Sequence, residues 1–126
     1  MRAVDTNVLV RLIARDDAEQ IAVASEFLAK GVWVSVLVLT ETMWVLVTSY
    51  KLGAREIAES VETLLTHKDV TLQDSDAVAK AVEVFRKRPA LRFSDCLILE
   101  LARKAGHLPL GTFDRELGKV AGAEKL

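Results

Sequence analysis

Short apolar runs that alternate with longer amphipathic segments are the feature that most constrains the fold of this 126-residue chain. The short runs predict β-strands. The longer segments carry apolar residues three and four positions apart, which predicts α-helices. Strands that alternate with helices in this way form a mainly parallel sheet covered by helices on both faces. We therefore expect an α/β fold, a three-layer α/β/α sandwich with a short, mainly parallel central sheet.

Turn and cap residues set the boundaries of these elements. The predicted strands are residues 2–5, 32–34, 70–72 and 108–112, and residues 121–126 form either an edge strand or a tail. The predicted helices are a run around residues 8–13 and the segments 16–30, 35–50, 54–66, 75–88, 94–105 and 114–119. Ser35 is expected to cap its helix, and Pro89 to stop the helix before it. The predicted buried positions include Ala22, and Ile98 belongs to a strongly apolar helix.

The chain is predicted to fold as a single domain over residues 1–126. It has no internal repeat or linker, and its 51% hydrophobic and 28% charged residues are typical of a globular protein. The longest apolar stretch is far shorter than the ~20 residues of a membrane helix. Asp5 lies where the apolar part of a secretory signal would begin, and Cys96 is the only cysteine. These features predict a cytoplasmic protein that does not enter the membrane.

Three aspartates follow predicted strands or begin predicted helices: Asp5, Asp95 and Asp114. Each of them alone is typical of a helix cap, because Asp accepts hydrogen bonds from the first free N–H groups and suits the helix dipole. In parallel α/β sheets, however, ligands bind beyond the carboxyl ends of the strands. Aspartates that reach this edge together indicate a site.

Glu41 differs because it lies inside an apolar segment. On a helix its neighbours one turn away are Leu37, Val38, Trp44 and Val45, so we expect it on an apolar face. Burying an unpaired carboxylate is costly, and such a group normally pairs with a cation, takes a proton or binds a metal. A distant Lys or Arg partner and an exposed face are the other interpretations.

The crevice at the carboxyl edge of the sheet is predicted to receive four acids, Asp5, Glu41, Asp95 and Asp114. Converging carboxylates repel one another unless a divalent cation neutralises them. Their hard oxygens suit Mg²⁺ or Mn²⁺, and no His/Cys spacing indicates zinc. Asn7 and Thr112 would supply neutral oxygens that hold water or orient a carboxylate. Such a site activates a bound water and holds the oxygens of a displacement at phosphorus, which predicts phosphodiester hydrolysis.

Four short motifs resemble the acidic motifs of the PIN domain family. They are Val-Asp-Thr-Asn at residues 4–7, Leu-Thr-Glu at 39–41, Phe-Ser-Asp-Cys-Leu-Ile at 93–98 and Gly-Thr-Phe-Asp-Arg-Glu-Leu at 111–117. Their order, their spacing and the total length agree with the family over essentially the whole chain. The resemblance implies metal-binding and catalytic roles for Asp5, Glu41, Asp95 and Asp114, and supporting roles for Asn7 and Thr112.

The resemblance also implies a biological role. Single-domain PIN proteins of this size are most often toxins of the VapC type, which cleave RNA and are silenced by an antitoxin. It therefore implies a Mg²⁺- or Mn²⁺-dependent endoribonuclease that acts as the toxin of a type II toxin–antitoxin pair. Its implied partners are the RNA substrate, a cognate antitoxin protein and a second copy of the chain in a homodimer.

Other functions fit the residues less well. A haloacid-dehalogenase-like phosphatase requires a second aspartate two residues after the first, and position 7 is Asn. A response-regulator receiver requires paired acids after the first strand and a lysine after the last, whereas Asp5 stands alone and Lys119 comes too late. A non-catalytic regulatory domain that binds RNA or protein through an inert acidic pocket remains open, and metal-dependent RNA cleavage would exclude it.

Residues other than the acids and their supporting groups have simpler predicted roles. Cys96 is expected to be a small core residue, His67 and His107 to be loop residues, and Trp33 and Trp44 to serve the core or a dimer face. The second half of the chain also carries a basic group that forms either a phosphate-binding surface or an ordinary solvated charge run, namely Arg86, Lys87, Arg88, Arg92, Arg103 and Lys104.

Overall fold

The computed structural model describes residues Met1–Leu126, with six α-helices, one 3-10 helix and five short β-strands. The chain forms two compact units, Met1–Ser75 and Asp76–Leu126. Every strand pairs with its neighbour in parallel. The predicted α/β fold with short parallel strands is therefore confirmed, while the single domain over residues 1–126 stays a prediction. None of the helices combines the length and the apolar character that crossing a membrane requires.

The first unit alternates three strands with four helices. Its elements are β1 (Arg2–Ala3), α1 (Thr6–Ala14), α2 (Ala18–Leu28), β2 (Val32–Val34), α3 (Val36–Thr48), α4 (Ala54–Thr66) and β3 (Val70–Leu72). The strands follow the order β1-β2-β3, so β2 is central. Helix α1 packs against α2 and α3, and α4 packs against α3 and β3.

The helices of the first unit begin at side chains that satisfy free backbone N–H groups. Asp5, Asp17 and Ser35 each accept a hydrogen bond from the N–H three residues later, at 3.2, 3.0 and 3.1 Å. Before α4, the Glu56 side chain instead accepts from the N–H of Gly53 at 3.1 Å. These bonds replace the intrahelical partners that a first turn lacks. The predicted cap at Ser35 is confirmed.

The second unit consists of two helices and a small separate sheet. Its elements are α5 (Ser75–Lys87), α6 (Phe93–Ala105), β4 (Leu110–Thr112), a 3-10 helix (Leu117–Lys119) and β5 (Ala123–Lys125). Strand β4 pairs only with β5, and β5 shows that residues 121–126 contain a strand rather than a tail. The helix predicted over 114–119 is a single 3-10 turn. Gly122 before β5 has a φ of +98°, and a side chain there would lie 2.9 Å from Nη2 of Arg103.

Burial follows the predicted periodicity on most helices, with exceptions. On α2, Ala24 and Leu28 are buried, but Ala22 is exposed and its predicted burial is wrong. Two positions correspond to about 200° around a helix, so Ala22 and Ala24 face opposite ways. On α6, Ile98 is 51% exposed although it belongs to the strongly apolar part of the helix. Trp33 and Trp44 are 38% and 54% exposed, so neither belongs to the core.

Candidate active site

Asp5 follows β1 and begins α1. Its Oδ1 accepts a hydrogen bond from the N–H of Val8 at 3.2 Å, so the residue does cap the helix. This bond uses only one of the two carboxylate oxygens, and the side chain is exposed to solvent. The second oxygen, Oδ2, can therefore bind a cation while the cap is kept. Capping and metal binding are compatible at this position.

A cleft of about 750 Å³ opens beside Asp5 within the first unit. Residues of α1 and α2 line it, and its walls are largely apolar, with Val8 and Phe27 among them. Asp5, Asn7 and Arg11 supply polar groups on the α1 wall. The structure thus brings two of the predicted site residues, Asp5 and Asn7, to one concave surface. An apolar pocket with a few polar groups is typical of binding sites.

Arg11 is fixed on this wall by a hydrogen-bonded cluster that the sequence analysis did not predict. Its Nη1 donates to Tyr50 Oη at 3.1 Å and to Asp16 Oδ1 at 3.3 Å. The Tyr50 hydroxyl in turn donates to Asp16 Oδ2 at 2.7 Å, and Arg11 Nε donates to Gln20. Arg11 and Tyr50 are 39 residues apart. The cluster therefore fixes the guanidinium of Arg11 in the same cleft as Asp5, with its charge paired to Asp16.

The same cluster predicts a pH-dependent contribution to stability. The hydrogen bond from Tyr50, with Arg11 nearby, lowers the pKa of Asp16 below its ordinary value of 3.8. A carboxyl whose pKa is lower in the folded state stabilises the fold above its ordinary pKa, and this stabilisation is lost as the pH falls through the folded value. Asp16→Asn should therefore lower the melting temperature near neutral pH, and its difference from wild type should shrink at pH values below 3.8.

Thermal melts of both proteins across an acid series measure this difference. A gap between wild type and Asp16→Asn that stays constant down to strongly acidic pH would contradict the lowered pKa.

Glu41 lies in the middle of α3 with its side chain exposed. Leu37 and Trp44, its neighbours on the same face, are 72% and 54% exposed. The expected apolar face exists, but it is open to solvent, so Glu41 is not a buried carboxylate and the interpretation as an exposed face is the one observed. Its candidate role rests instead on its motif and its carboxylate. Asp5 and Glu41 both belong to the first unit, on helices α1 and α3 that pack together.

Asp95 lies in the first turn of α6 and is half-buried. The helix begins at Phe93, one residue before the predicted start, and Arg92 precedes it without a side-chain cap. A carboxylate in the first turn is favoured by the helix dipole, which supplies partial positive charge.

Cys96 follows Asp95 and is fully buried. Burial, together with the negative charges of Asp95 and Glu100, raises the pKa of the Cys96 thiol to about 11. The thiol is therefore uncharged near neutral pH and unsuited to nucleophilic attack. The predicted role of Cys96 as a core residue is confirmed.

Asp114 follows β4 in a turn fixed on both sides. Its N–H donates to Thr112 Oγ1 at 3.0 Å, and its Oδ1 accepts from the N–H of Leu117 at 2.8 Å. Its carbonyl oxygen also accepts from the N–H of Gly118 at 3.0 Å. Thr112 thus orients the backbone of Asp114 rather than its carboxylate. As at Asp5, one carboxylate oxygen serves the local turn, and the exposed side chain leaves Oδ2 for a ligand.

The donor chemistry of the four acids fits a hard divalent cation. Asp5 and Glu41 belong to the first unit and Asp95 and Asp114 to the second. Within neither unit do three or more His, Cys, Asp or Glu side chains form a group that could hold a metal ion. Carboxylate oxygens that are exposed or half-buried are nevertheless suited to Mg²⁺ or Mn²⁺, which keep several water ligands.

Several basic residues of the second unit pair with acids outside the candidate set. The pairs are Arg88 with Glu116, Arg103 with Glu100 and Lys104 with Asp76, at 3.9, 3.2 and 2.8 Å. Much of the charge that the sequence suggested as a phosphate-binding surface is thus engaged locally. The interpretation as an ordinary charge run fits these three residues better than a phosphate-binding surface does.

Comparison with known families supports the interpretation of the motifs. The model of the PIN domain family matches residues 2–123, which is almost the whole chain and includes all four acidic motifs. No curated protein and no solved structure matches the chain.

Proposed function

Since the chain belongs to the PIN domain family, a family of nucleases, we propose that it is a Mg²⁺- or Mn²⁺-dependent endoribonuclease. The observation that carries the proposal is the placement of Asp5. The first acid of the four motifs lies on the wall of an open cleft, and its helix-capping bond leaves one oxygen for a ligand. The polar groups beside it, Asn7 and Arg11, suit a hydrated anionic substrate.

The proposed division of roles follows from these side chains. The acids that would hold the cation are Asp5, Glu41, Asp95 and Asp114. The ion would activate a water and stabilise negative charge on the phosphate oxygens. Asn7 offers an amide that can hydrogen-bond a water beside Asp5. Arg11 lies on the same wall, where Asp16 pairs with its charge, and its guanidinium would offer hydrogen-bond donors to a phosphate oxygen.

Cleavage of a circular single-stranded RNA tests this proposal. The purified protein should linearise the circle in Mg²⁺ or Mn²⁺, because an endonuclease needs no free end. Attack by water should leave a 5′-phosphate and a 3′-hydroxyl, whereas attack by the neighbouring 2′-hydroxyl would leave a cyclic phosphate. An uncut circle would contradict the proposal and favour the non-catalytic binding domain, and only cyclic phosphate ends would contradict attack by a metal-activated water. Asp5→Asn purified in parallel controls for contaminating nuclease.

We further propose that the nuclease is the toxin of a toxin–antitoxin pair. The cleft supports this role, because its apolar walls suit an apolar segment of a partner protein and its acids, Asp5 and Glu19, suit a Lys or Arg in that segment. A cation there would partly replace the charge of the metal. Co-purification with the product of the neighbouring upstream gene, followed by the same cleavage assay, tests this role. A stable complex that still cleaves RNA at the full rate would contradict it.

The homodimer also remains a proposal. Exposed apolar side chains on α3 support it: Leu37, Trp44 and Val47 are 72%, 54% and 44% exposed. Exposed apolar residues grouped on one element are typical of interaction surfaces. Light scattering at micromolar concentration measures the oligomeric state, and a strict monomer would contradict the dimer.

A further inference from the structure

Phe113 is a large aromatic residue of the second unit that lies outside the core of that unit. Its side chain is 80% exposed, whereas Phe85 and Phe93 in the same unit are buried at 4% each and pack edge to face. Large aromatic rings contribute strongly to a core when they are buried, so a ring left in solvent gives no such stabilisation. The position of Phe113 between Thr112 and the candidate metal ligand Asp114 points to a role outside the core.

The backbone on both sides of Phe113 is fixed. The carbonyl of Thr112 accepts from the N–H of Leu126 at 2.8 Å, and the Thr112 hydroxyl accepts from the N–H of Asp114 at 3.0 Å. Asp114 is itself bonded to Leu117 at 2.8 Å. An exposed ring on a fixed turn loses little conformational freedom when a ligand contacts it. Phe113 is thus presented to solvent at a defined place next to Asp114.

The neighbours of Phe113 favour a nucleic acid over an apolar protein surface. Asp114 and Arg115, the next two residues, are both exposed and charged, and Gly111 before Thr112 is exposed without a side chain. The exposed side chain of Leu126 belongs to the residue whose N–H donates to the carbonyl of Thr112, so one further apolar side chain lies close to this turn. The two charged side chains that follow the ring suit a nucleotide, which combines a flat base with a negatively charged phosphate.

We propose that Phe113 stacks on an unpaired base of a single-stranded RNA and so selects single-stranded over double-stranded substrates. Unpaired bases stack on exposed aromatic side chains, whereas bases inside a duplex are already stacked on each other. Arg115 would attract the adjoining phosphate. This inference rests on the proposed function for its substrate, and it assigns Phe113 as a specificity-determining residue rather than a catalytic one.

Binding in the absence of metal tests the inference separately from cleavage. The probe is a single-stranded RNA that carries 2-aminopurine, whose fluorescence is quenched when it stacks on an aromatic ring, titrated with protein in EDTA. Phe113→Ala should weaken binding about tenfold, as expected for one lost stacking contact, and should abolish the quenching. Phe113→Tyr and Phe113→Trp should retain both properties. A duplex of the same sequence should bind wild type and Phe113→Ala equally.

Phe113→Leu separates stacking from simple apolar contact, because leucine is apolar but not flat. It should behave like Phe113→Ala, and full binding and quenching by Phe113→Leu would overturn the inference. Leu108→Ala is the control, since Leu108 is a 41% exposed apolar residue that precedes β4, the strand that Phe113 follows. It should bind like wild type. Circular dichroism melts should show that all variants are folded.

The outcomes distinguish this inference from the proposed function. Quenching that depends on Phe113 in a protein that cleaves no RNA would support stacking and contradict the nuclease. Metal-dependent cleavage with unchanged KM and binding in Phe113→Ala would support the nuclease and overturn stacking. Absence of single-stranded RNA binding by wild type would overturn stacking as well.

Discussion

Asp5→Asn is expected to lower the rate of RNA cleavage by on the order of 100-fold or more, the size of effect seen when a group that stabilises transition-state charge is removed. The fold should stay intact, because Asn caps a helix about as well as Asp. The bond from Val8 to Oδ1 can therefore be kept. The substitution removes the charge and not the cap, so a loss of activity reports on the charge. Cleavage rates at saturating RNA in Mn²⁺ measure the effect.

Asp17→Asn is the matched control for this substitution. Asp17 caps α2 in the same unit through a bond of 3.0 Å from the N–H of Gln20, but it does not line the cleft. We expect this variant to cleave RNA at nearly the wild-type rate. If Asp5→Asn and Asp17→Asn had the same activity, Asp5 would be a helix cap only.

Asp95→Asn is expected to change thermal stability in opposite directions without and with metal. Carboxylates that share a cation repel one another when it is removed, so losing one charge should raise the melting temperature slightly in EDTA. A metal that binds only the folded protein stabilises it by RT ln(1 + [L]/Kd), about 2.7 kcal/mol at a hundredfold excess over Kd. The variant loses a charged ligand and should gain less from Mn²⁺ than wild type. Thermal melts in EDTA and across a Mn²⁺ titration measure both effects.

Asp76→Asn is the control for the metal titration. Asp76 lies in the first turn of α5, as Asp95 lies in the first turn of α6, but it pairs with Lys104 at 2.8 Å. Its loss should lower stability modestly and leave the shift caused by Mn²⁺ unchanged. Equal shifts in wild type and Asp95→Asn would remove Asp95 from the metal site.

The element boundaries were predictable because local chemistry determines them. Ser35 has a hydroxyl at the start of an apolar helix, and it caps α3 as expected. Asp5 and Asp114 also serve their local turns, as their sequence positions predict. The sequence could not show that the local bond of Asp5, like that of Asp114, uses only one of the two carboxylate oxygens. That detail decides whether a cap can also bind a cation, and only the geometry provides it.

The orientation of the apolar helices was harder to predict. Helix α3 is apolar around most of its circumference, so periodicity did not show which face is inside, and Glu41 lies on the exposed face with Trp44. Helix α6 shows the same difficulty, since Ile98 is exposed while Leu97 and Leu99 on either side of it are buried. The sequence of an apolar run does not show which of its residues face the core and which face solvent.

Contacts between distant residues were outside the reach of sequence patterns. Asp16 and Tyr50 are 34 residues apart, and neither their types nor their spacing predicts the hydrogen bond that joins them. No pattern in the sequence singled out Arg11. In the structure its guanidinium is fixed in the cleft that holds Asp5.

The metal requirement of RNA cleavage is the most direct test of the account. Wild-type protein should linearise the circular RNA in Mg²⁺ or Mn²⁺, lose that activity in EDTA and regain it when excess Mn²⁺ is added back. Asp5→Asn, purified by the same steps, should stay inactive throughout. Cleavage by wild type that persists unchanged in EDTA, and is no faster with added Mg²⁺ or Mn²⁺, would contradict a metal-dependent nuclease built on these four carboxylates.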